Sequence, residues 1–223
     1  AWFAELHTFC SLDLSAFYFD IRKDTLYCHA PDHLVRRATR TVMDHIFNHL
    51  VRWLAPVLCF TAEEAYLTRY PDNDAENPQN SVHLQQFMEV VTQWKDVSLQ
   101  ARFDVIRQQR RMLTGAIEIA RNQAVVRSSL QAHVTIFDPK SVLAKEVNWA
   151  EMAIVSVVGI QAQMPPEGAY NMPEAPDLYV KIMPAQGEKC DRCWQVLQEV
   201  KAPTNLCVRC HDAVDIYQKK VLL

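Results

Sequence analysis

Four cysteines near the C-terminal end are the residues of this sequence whose types and spacing point most directly to chemistry. They form two Cys-x-x-Cys pairs, Cys190 with Cys193 and Cys207 with Cys210, and thirteen residues separate the pairs. Two such pairs can place four thiolates at the corners of one tetrahedron, the geometry that Zn²⁺ takes in closed structural sites. The spacing therefore predicts one structural zinc ion. The alternatives are a redox dithiol, a set of disulfides, or His211 replacing Cys210 as a ligand.

The segment around these cysteines has too few apolar residues to fold without a metal. Its larger apolar side chains are Trp194, Val196, Leu197, Val200, Leu206 and Val208. Burying so little area does not offset the conformational entropy lost when the backbone is ordered. Structural zinc contributes about 10–16 kcal/mol of apparent binding free energy in comparable peptides. We therefore expect the segment to be unfolded without zinc and, because no ligand position stays open to water, to be non-catalytic.

The composition is that of a globular protein of one large or two to three small domains. The chain has 223 residues, of which 49% are hydrophobic and 22% charged, and no apolar run is long enough to span a bilayer. Its net charge of −3 argues against indiscriminate nucleic-acid binding, so any RNA or DNA contact must come from local basic patches. Cys10, Cys28 and Cys59 are interpreted as buried free thiols, which favours a reducing, cytoplasmic compartment.

Apolar periodicity predicts that residues 1–92 are helical. Apolar residues recur every fourth position from Leu34 to Leu54, which predicts a core-facing helix, and a further helix follows Pro56. A long amphipathic helix is predicted over residues 99–120. The chain begins at Ala1 inside an apolar helical pattern, so we expect it to be part of a longer protein.

The second half of the sequence predicts a small α/β layer. Strict alternation over residues 130–137 indicates a half-buried strand, a short helix is expected from Pro139 to Trp149, and the run 153–160 suits a second strand. The proline-rich stretch 165–176 is interpreted as a surface crossover, followed by a strand over 178–183. A closing helix is predicted over residues 211–223.

The predicted fold class is mainly α: a helical bundle, then a small α/β subdomain, then a C-terminal zinc-binding module with four cysteine ligands. The predicted domains are residues 1–92 for the bundle, 93–177 for the long helix with the α/β subdomain and a Pro-rich linker, and 178–223 for the zinc-binding module.

Trp194 and two groups of arginines are the candidate nucleic-acid contacts. An exposed indole beside Arg192 would suit stacking of an unpaired base, worth about 1–3 kcal/mol; packing of Trp194 as the module's small core is the alternative that spacing leaves open. The arginine groups are candidates for phosphate contact, with a solvated face or internal ion pairs as alternatives. They are Arg36, Arg37 and Arg40 on the first long helix, and Arg107, Arg110, Arg111 and Arg121 on the second.

Catalytic machinery is not evident in the sequence. Only four glycines occur and none forms a phosphate-binding loop, and nucleophile-elbow and triad patterns are missing. His45 and His49 are four residues apart and share a helix face, but no carboxylate motif accompanies them, so packing is the better interpretation. No catalytic residue is predicted.

Longer motifs resemble the isoleucyl-tRNA synthetases, which are class I aminoacyl-tRNA synthetases. The strings GEKCDRCW (187–194) and LCVRC (206–210) are similar to the C-terminal zinc module of the bacterial-type enzymes. Other strings resemble that family's anticodon-binding helical domain and the segment after it, in the family's order. They are DLSAFYFDIRKDTLYCHAP (13–31), RRATRT (36–41), VRWLAPVLCFTAEE (51–64), SVHLQQF (81–87) and RSSLQAHV (127–134).

The resemblance implies that the chain is the anticodon-recognition part of an isoleucine-tRNA ligase acting in translation. The parent enzyme would ligate isoleucine to its tRNA with ATP, but the H-x-G-H and K-M-S-K-S motifs of its nucleotide site do not occur in this sequence. The expected partner is therefore the tRNA for isoleucine, with ATP and isoleucine bound only by an absent catalytic domain. By resemblance, Arg192 and Trp194 reach the anticodon; no membrane partner is expected, and the protein is expected to be a monomer.

Two other classes of protein remain as alternatives. A zinc-ribbon DNA-binding protein would bind duplex DNA and would be basic overall, which the net charge of −3 disfavours. A structural interaction module, in which zinc only closes the C-terminal part, would have no nucleic-acid affinity at low salt. Among the related synthetases for valine and leucine, the helical domain is similar, and the four-cysteine module favours isoleucine.

Overall fold

The computed structural model describes residues 2–71 and 80–221. These residues form two compact units, one made of Ala1–His33 together with Asp96–Leu223, and the other of Leu34–Lys95. The second unit is thus an insertion in the sequence of the first. The predicted domains 1–92, 93–177 and 178–223 group the chain differently, and that division stays a prediction.

The unit Leu34–Lys95 is built on two helices, α3 (Leu34–Leu54) and α4 (Cys59–Arg69). Its buried core contains Val51 of α3, Ala55 just after that helix, Ala62 and Tyr66 of α4, and Val82. Short 3₁₀ turns at Val82–Leu84 and Thr92–Trp94 follow.

The predicted core stripe of α3 is only partly covered. Leu34 is 76% exposed and Val42 is 44% exposed, and the stripe residues of the C-terminal half are half-buried. The buried residues of α3 are Thr39, Asn48 and Val51. The reason is length: α3 has 21 residues and α4 has 11, so at about 1.5 Å per residue α4 covers roughly half of α3.

Three helical segments in succession open the other unit. They are α1 (Trp2–Thr8), a π-helical segment (Phe9–Phe19) and α2 (Asp20–Cys28). The long helix α5 (Val97–Asn122) is capped at its N-terminus by Asp96, whose carboxylate accepts a hydrogen bond from the backbone N–H of Leu99 at 2.9 Å. That bond, with a weaker one from Ser98, lowers the pKa of Asp96.

A four-stranded sheet packs against α5 and carries the main core. Its strands are β1 (Ala132–Phe137), β2 (Val157–Gln161), β3 (Tyr170–Met172) and β4 (Ala175–Pro184), in the spatial order β2-β1-β4-β3. Strands β1 and β2 are parallel and are connected through α6 (Trp149–Ala153), whereas β4 is antiparallel to both β1 and β3. The C-terminal segment adds a hairpin of β5 (Glu188–Lys189) and β6 (Val196–Leu197), and then α7 (Val208–Val221).

The predicted fold class is confirmed, but three local predictions are wrong. Strand β1 is buried on both faces, since Thr135 and Phe137 are buried as well as Val134. The helix expected from Pro139 is a loop, because the Asp138 carboxylate accepts hydrogen bonds from the N–H groups of residues 142 and 143 at 2.8 and 3.0 Å. The proline-rich stretch is not only a crossover, because it contains β3 and the start of β4. The side-chain amide of Asn171 in β3 donates to the carbonyl of Leu178 in β4 at 2.7 Å and so links the two strands.

The three cysteines outside the two Cys-x-x-Cys pairs are free thiols, as predicted, but their burial differs. Cys28 is buried, Cys10 is half-buried and Cys59 is exposed. The expectation of burial is therefore correct only for Cys28, which packs beside the C-terminal cysteine cluster.

None of the helices within the described ranges is both long enough and apolar enough to cross a membrane.

We predict that Leu113→Ala destabilises the unit containing the sheet by about 2–5 kcal/mol, because Leu113 is completely buried and its truncation leaves a cavity. Urea unfolding monitored by circular dichroism measures the change. Leu99→Ala is the matched control on the same helix, since Leu99 is 46% exposed and should change the free energy of unfolding by less than about 0.5 kcal/mol. Equal effects of the two substitutions would contradict the assigned core.

Candidate zinc centre

The four predicted cysteine ligands come together in the structure. The Sγ atoms of Cys190, Cys193, Cys207 and Cys210 all lie within 4.8 Å of one another, and all four residues are buried. Zinc with Zn–S bonds of about 2.3 Å requires sulfur atoms about 3.8 Å apart at the corners of a tetrahedron. The Sγ atoms of Cys193 and Cys207 are 3.8 Å apart, and all the cysteines are free thiols. The donor set and its spacing therefore fit zinc, and this is a structural zinc site.

Backbone hydrogen bonds shape the first Cys-x-x-Cys turn. The N–H of Cys190 donates to the carbonyl of Gln195 at 2.8 Å, and the N–H of Trp194 donates to the carbonyl of Cys190 at 2.9 Å. Gly187 precedes the turn with φ +119°, and a Cβ there would lie 2.3 Å from the backbone of Leu197. Only glycine therefore allows the chain to enter the β5–β6 hairpin in this way.

The second turn is attached to the first and leads into α7. The N–H of Asp191 donates to the carbonyl of Asn205 at 3.0 Å, and the N–H of Cys207 donates to the sulfur of Cys190 at 3.4 Å. Since α7 begins at Val208, Cys210 lies in its first turn. The helix thus fixes the direction of the last ligand.

The thiols alone resist full ionisation. Burial acts to raise the pKa of Cys190, but N–H groups of Cys193, Cys207 and Arg192 outweigh it and lower that pKa to about 6. The pKa of Cys193 is raised by its hydrogen bond with Cys210 and by burial. For Cys210 the bond with Cys193 acts to lower the pKa, yet contact with Cys28 and burial raise it to about 12. Four thiolates coexist at this site only with a cation between them, which zinc supplies when bound.

The histidine alternatives are not supported. His211 is adjacent to Cys210, but its Nδ1 atom lies 3.5 Å from the carboxylate of Asp215 and the side chain is half-exposed. His45 packs on Trp94, and His49 is hydrogen-bonded to the carbonyl of His45. Within the described residues, the four cysteines are the one group of three or more potential ligands close enough to share an ion.

Arg192 and Trp194, the two predicted anticodon contacts, have different surroundings. Arg192 is half-buried: its Nη2 donates to the carbonyl of Tyr27 at 2.8 Å and its Nη1 to the carbonyl of Cys28 and, at 3.7 Å, to the sulfur of Cys210. Trp194 is 60% exposed and takes the left-handed conformation with φ +66°. The Nζ of Lys189 lies 5.2 Å from the centre of its ring. The indole is therefore at the surface rather than in the module's core.

The arginines predicted on α5 do not form one free stripe. Arg107 pairs with the carboxylate of Asp13, and Arg110 donates to Asp20 at 2.9 Å and to the carbonyl of Met152 at 2.7 Å. Arg111 is exposed. Arg107 and Arg110 therefore form internal ion pairs, the alternative that the sequence left open. A tRNA contact by any of the three arginines stays a prediction.

The remaining arginines are on the surface or paired locally. Arg121 pairs with Glu118 at 2.8 Å. On α3, Arg37 and Arg40 are exposed and Arg36 is half-buried. Phosphate contact by the three arginines of α3 likewise stays a prediction.

Sequence reasoning missed the residues of α2 that hold the zinc centre. Asp24 pairs with Arg209, and the carbonyls of Tyr27 and Cys28 accept from Arg192. These partners are 185 and 165 residues apart, so no spacing rule links them. The arginines inside the two cysteine pairs were visible, but nothing local indicated what they bind.

Family comparisons agree with this architecture. Residues 2–136, more than half of the chain, match the anticodon-binding domain of tRNA ligase, and residues 187–213 match the zinc finger found in FPG and IleRS. The chain belongs to the tRNA ligase anticodon-binding family. Within that family it resembles a C-terminal region of isoleucine–tRNA ligases.

Comparison with curated relatives shows what fraction of their length this chain covers. The isoleucine–tRNA ligase of Gluconobacter oxydans is 44% identical over 214 residues, which is 94% of this chain and 21% of the relative. Those of Mesorhizobium japonicum and Agrobacterium fabrum are 43% and 41% identical, over 96% and 86% of this chain and 22% and 20% of their own lengths. The chain therefore spans about a fifth of the length of these relatives.

We predict one zinc ion per chain, and chelation is expected to unfold residues 187–213 while α3 and α4 persist. The reason is that the module's small core consists mainly of the metal ligands, whereas Leu34–Lys95 has a core of its own. Elemental analysis gives the stoichiometry, and hydrogen exchange measured by mass spectrometry locates the unfolding.

Cys193→Ser should lose the zinc, whereas Cys59→Ser, at an exposed cysteine in the other unit, is the matched control that should retain it. Simultaneous unfolding of α3 and α4 on chelation would contradict the modular description.

Proposed function

We propose that this chain is the tRNA anticodon-recognition part of an isoleucyl-tRNA synthetase, and that its zinc centre holds Trp194 for stacking against an unpaired anticodon base. The observation that carries this proposal is the exposed indole next to a buried cysteine ligand, with 60% of Trp194 accessible. Single-stranded loop bases are the part of an RNA that proteins commonly read by stacking on aromatic side chains.

The position of Trp194 supports stacking more strongly than its exposure alone. Its left-handed backbone conformation and its hydrogen bond to the Cys190 carbonyl fix where the indole leaves the zinc turn. Lys189, 5.2 Å from the ring centre, places a positive charge beside the aromatic face. A base stacked on the indole would bring its phosphate group near that charge.

Backbone phosphates of the tRNA would meet separate basic residues. Arg37, Arg40 and Arg111 are exposed, so they are the members of the two arginine groups most available for such contacts. Phosphate contacts add affinity without sequence preference, whereas base contacts specify. In this proposal Trp194 and Arg192 contact the anticodon, and the exposed arginines strengthen binding to any tRNA.

The parent enzyme in this proposal ligates isoleucine to its tRNA with ATP, and both small substrates bind outside this chain. It acts in translation as a monomer in the cytoplasm. The similarity to isoleucine–tRNA ligases does not favour the two alternatives, a zinc-ribbon DNA-binding protein and a structural interaction module.

The decisive experiment compares two anticodon-arm RNAs, one with the isoleucine anticodon and one altered only there. We predict that the chain binds the first more tightly and that Trp194→Ala removes about 1–3 kcal/mol of that binding, since stacking is lost. Filter binding at fixed salt measures both affinities. Trp2→Ala, at a tryptophan that is 54% exposed and far away in sequence, is the matched control and should bind like wild type. Equal affinity of the wild-type chain for the two RNAs would refute the recognition role.

We predict that Arg111→Glu weakens binding of both RNAs by the same factor and reduces the salt dependence by about one phosphate contact. Arg111 is exposed, so reversing its charge should leave the fold intact; Arg110 would be a poor choice because it is ion-paired to Asp20. Titration at several salt concentrations gives the slope. Arg111→Lys retains the charge and should behave like wild type, and a change in discrimination between the two RNAs would contradict a phosphate contact.

A further inference from the structure

We infer that Arg192 and Arg209, one inside each Cys-x-x-Cys turn, are positioning residues that clamp the zinc centre onto the C-terminal end of α2 and thereby orient Trp194. This inference rests on the proposed function, because it concerns how the stacking residue is held. It assigns to Arg192 a positioning role through α2, in addition to the predicted contact with the anticodon.

The first half of the clamp is a two-point ion pair between Arg209 and Asp24. The Nη2 of Arg209 donates to Oδ1 of Asp24 at 2.8 Å, and Nη1 donates to Oδ2. Both side chains are about two-thirds buried, with 32% and 31% exposed. A guanidinium that meets a carboxylate at two points fixes orientation as well as distance, which a single contact does not. Because Arg209 lies between Cys207 and Cys210, this pair fixes the second zinc turn.

The second half of the clamp is made by Arg192 and the end of α2. The last carbonyls of a helix have no partner within the helix, and α2 ends at Cys28. The carbonyls of Tyr27 and Cys28 both accept from the Arg192 guanidinium, which also reaches the sulfur of Cys210. One side chain therefore satisfies two free carbonyls and compensates charge at a ligand sulfur.

Cys28, the last residue of α2, packs against the zinc centre. Its side chain is 5% exposed and belongs to the same buried cluster as the four ligand cysteines. The contacts of Arg192 with α2 therefore lie beside a buried cluster.

Helix α2 is itself firmly held, so it can serve as the base of the clamp. Asp20 accepts from Arg110 of α5 at 2.9 Å. Arg22 and Thr25 donate to Glu151 of α6 at 2.7 and 3.2 Å. A zinc turn attached to α2 is thus fixed relative to the sheet and the long helix. Because Trp194 lies two residues after Arg192, its position is fixed by the same contacts.

The test uses three variants of the full chain with zinc bound. Asp24→Asn keeps the shape of the side chain and removes its charge. The exchange Asp24→Arg with Arg209→Asp restores a pair of opposite polarity, and Asp212→Asn is the matched control at an exposed acid of α7. Absorption of the cobalt-substituted chain reports the four-sulfur centre, hydrogen exchange reports peptides containing residues 24–29 and 190–195, and filter binding reports discrimination between the two anticodon-arm RNAs.

We expect Asp24→Asn to keep the cobalt–thiolate absorption, to speed exchange in both peptides, and to reduce discrimination about fivefold to tenfold. The charge exchange should restore most of the protection and discrimination, and Asp212→Asn should match wild type. A purely structural role for the pair in metal binding would instead change the cobalt spectrum.

Unchanged exchange in Asp24→Asn would overturn the clamp whatever the RNA results are. Faster exchange with unchanged discrimination would also overturn it, because Trp194 would then be oriented by something else. If the wild-type chain itself does not discriminate between the RNAs, the proposed function fails, and the exchange data still decide whether the clamp exists.

Discussion

Four sulfur atoms within 4.8 Å of one another cannot all be negatively charged unless a cation lies between them, and the C-terminal part of this protein depends on that constraint. The apolar residues near the cysteines are too few to order the segment without metal. Zinc therefore determines more than the positions of its ligands. It also fixes the hairpin from which Lys189 extends and the tight turn that leaves Trp194 exposed at the surface.

Helix α2 connects the zinc centre to the rest of its unit through side-chain hydrogen bonds. Within nine residues it presents Asp20 to α5, Arg22 and Thr25 to α6, Asp24 to α7, and its terminal carbonyls to Arg192. Each of these contacts is polar and directional, whereas the core beneath is apolar. The apolar core holds the elements together, and the polar contacts specify their mutual orientation. A zinc turn that merely closed a chain end would need none of these contacts.

Features that depend on neighbouring residues could be predicted from the sequence. The helix α5, the existence of strand β1 and the cluster of the four cysteines were all predicted correctly, although β1 is buried on both faces. The loop after β1 could not be predicted, because a single carboxylate, Asp138, captures two N–H groups that a helix would have used. The exposure of Leu34 depends on the length of α4, which no residue of α3 reveals. The partners of Arg192 and Arg209 lie more than 160 residues away, beyond any local pattern.

The arrangement of the two units along the chain has a consequence for biosynthesis. Leu34–Lys95 is continuous, so all of its contacts are available as soon as its last residue has left the ribosome. The other unit is split: Arg209 is added 185 residues after Asp24. At typical elongation rates of about 5–20 residues per second, roughly 10–40 seconds pass between the synthesis of α2 and that of the second zinc turn. The nascent chain therefore completes its inserted unit first, and α2 is joined to the zinc turns only after the inserted unit has been made.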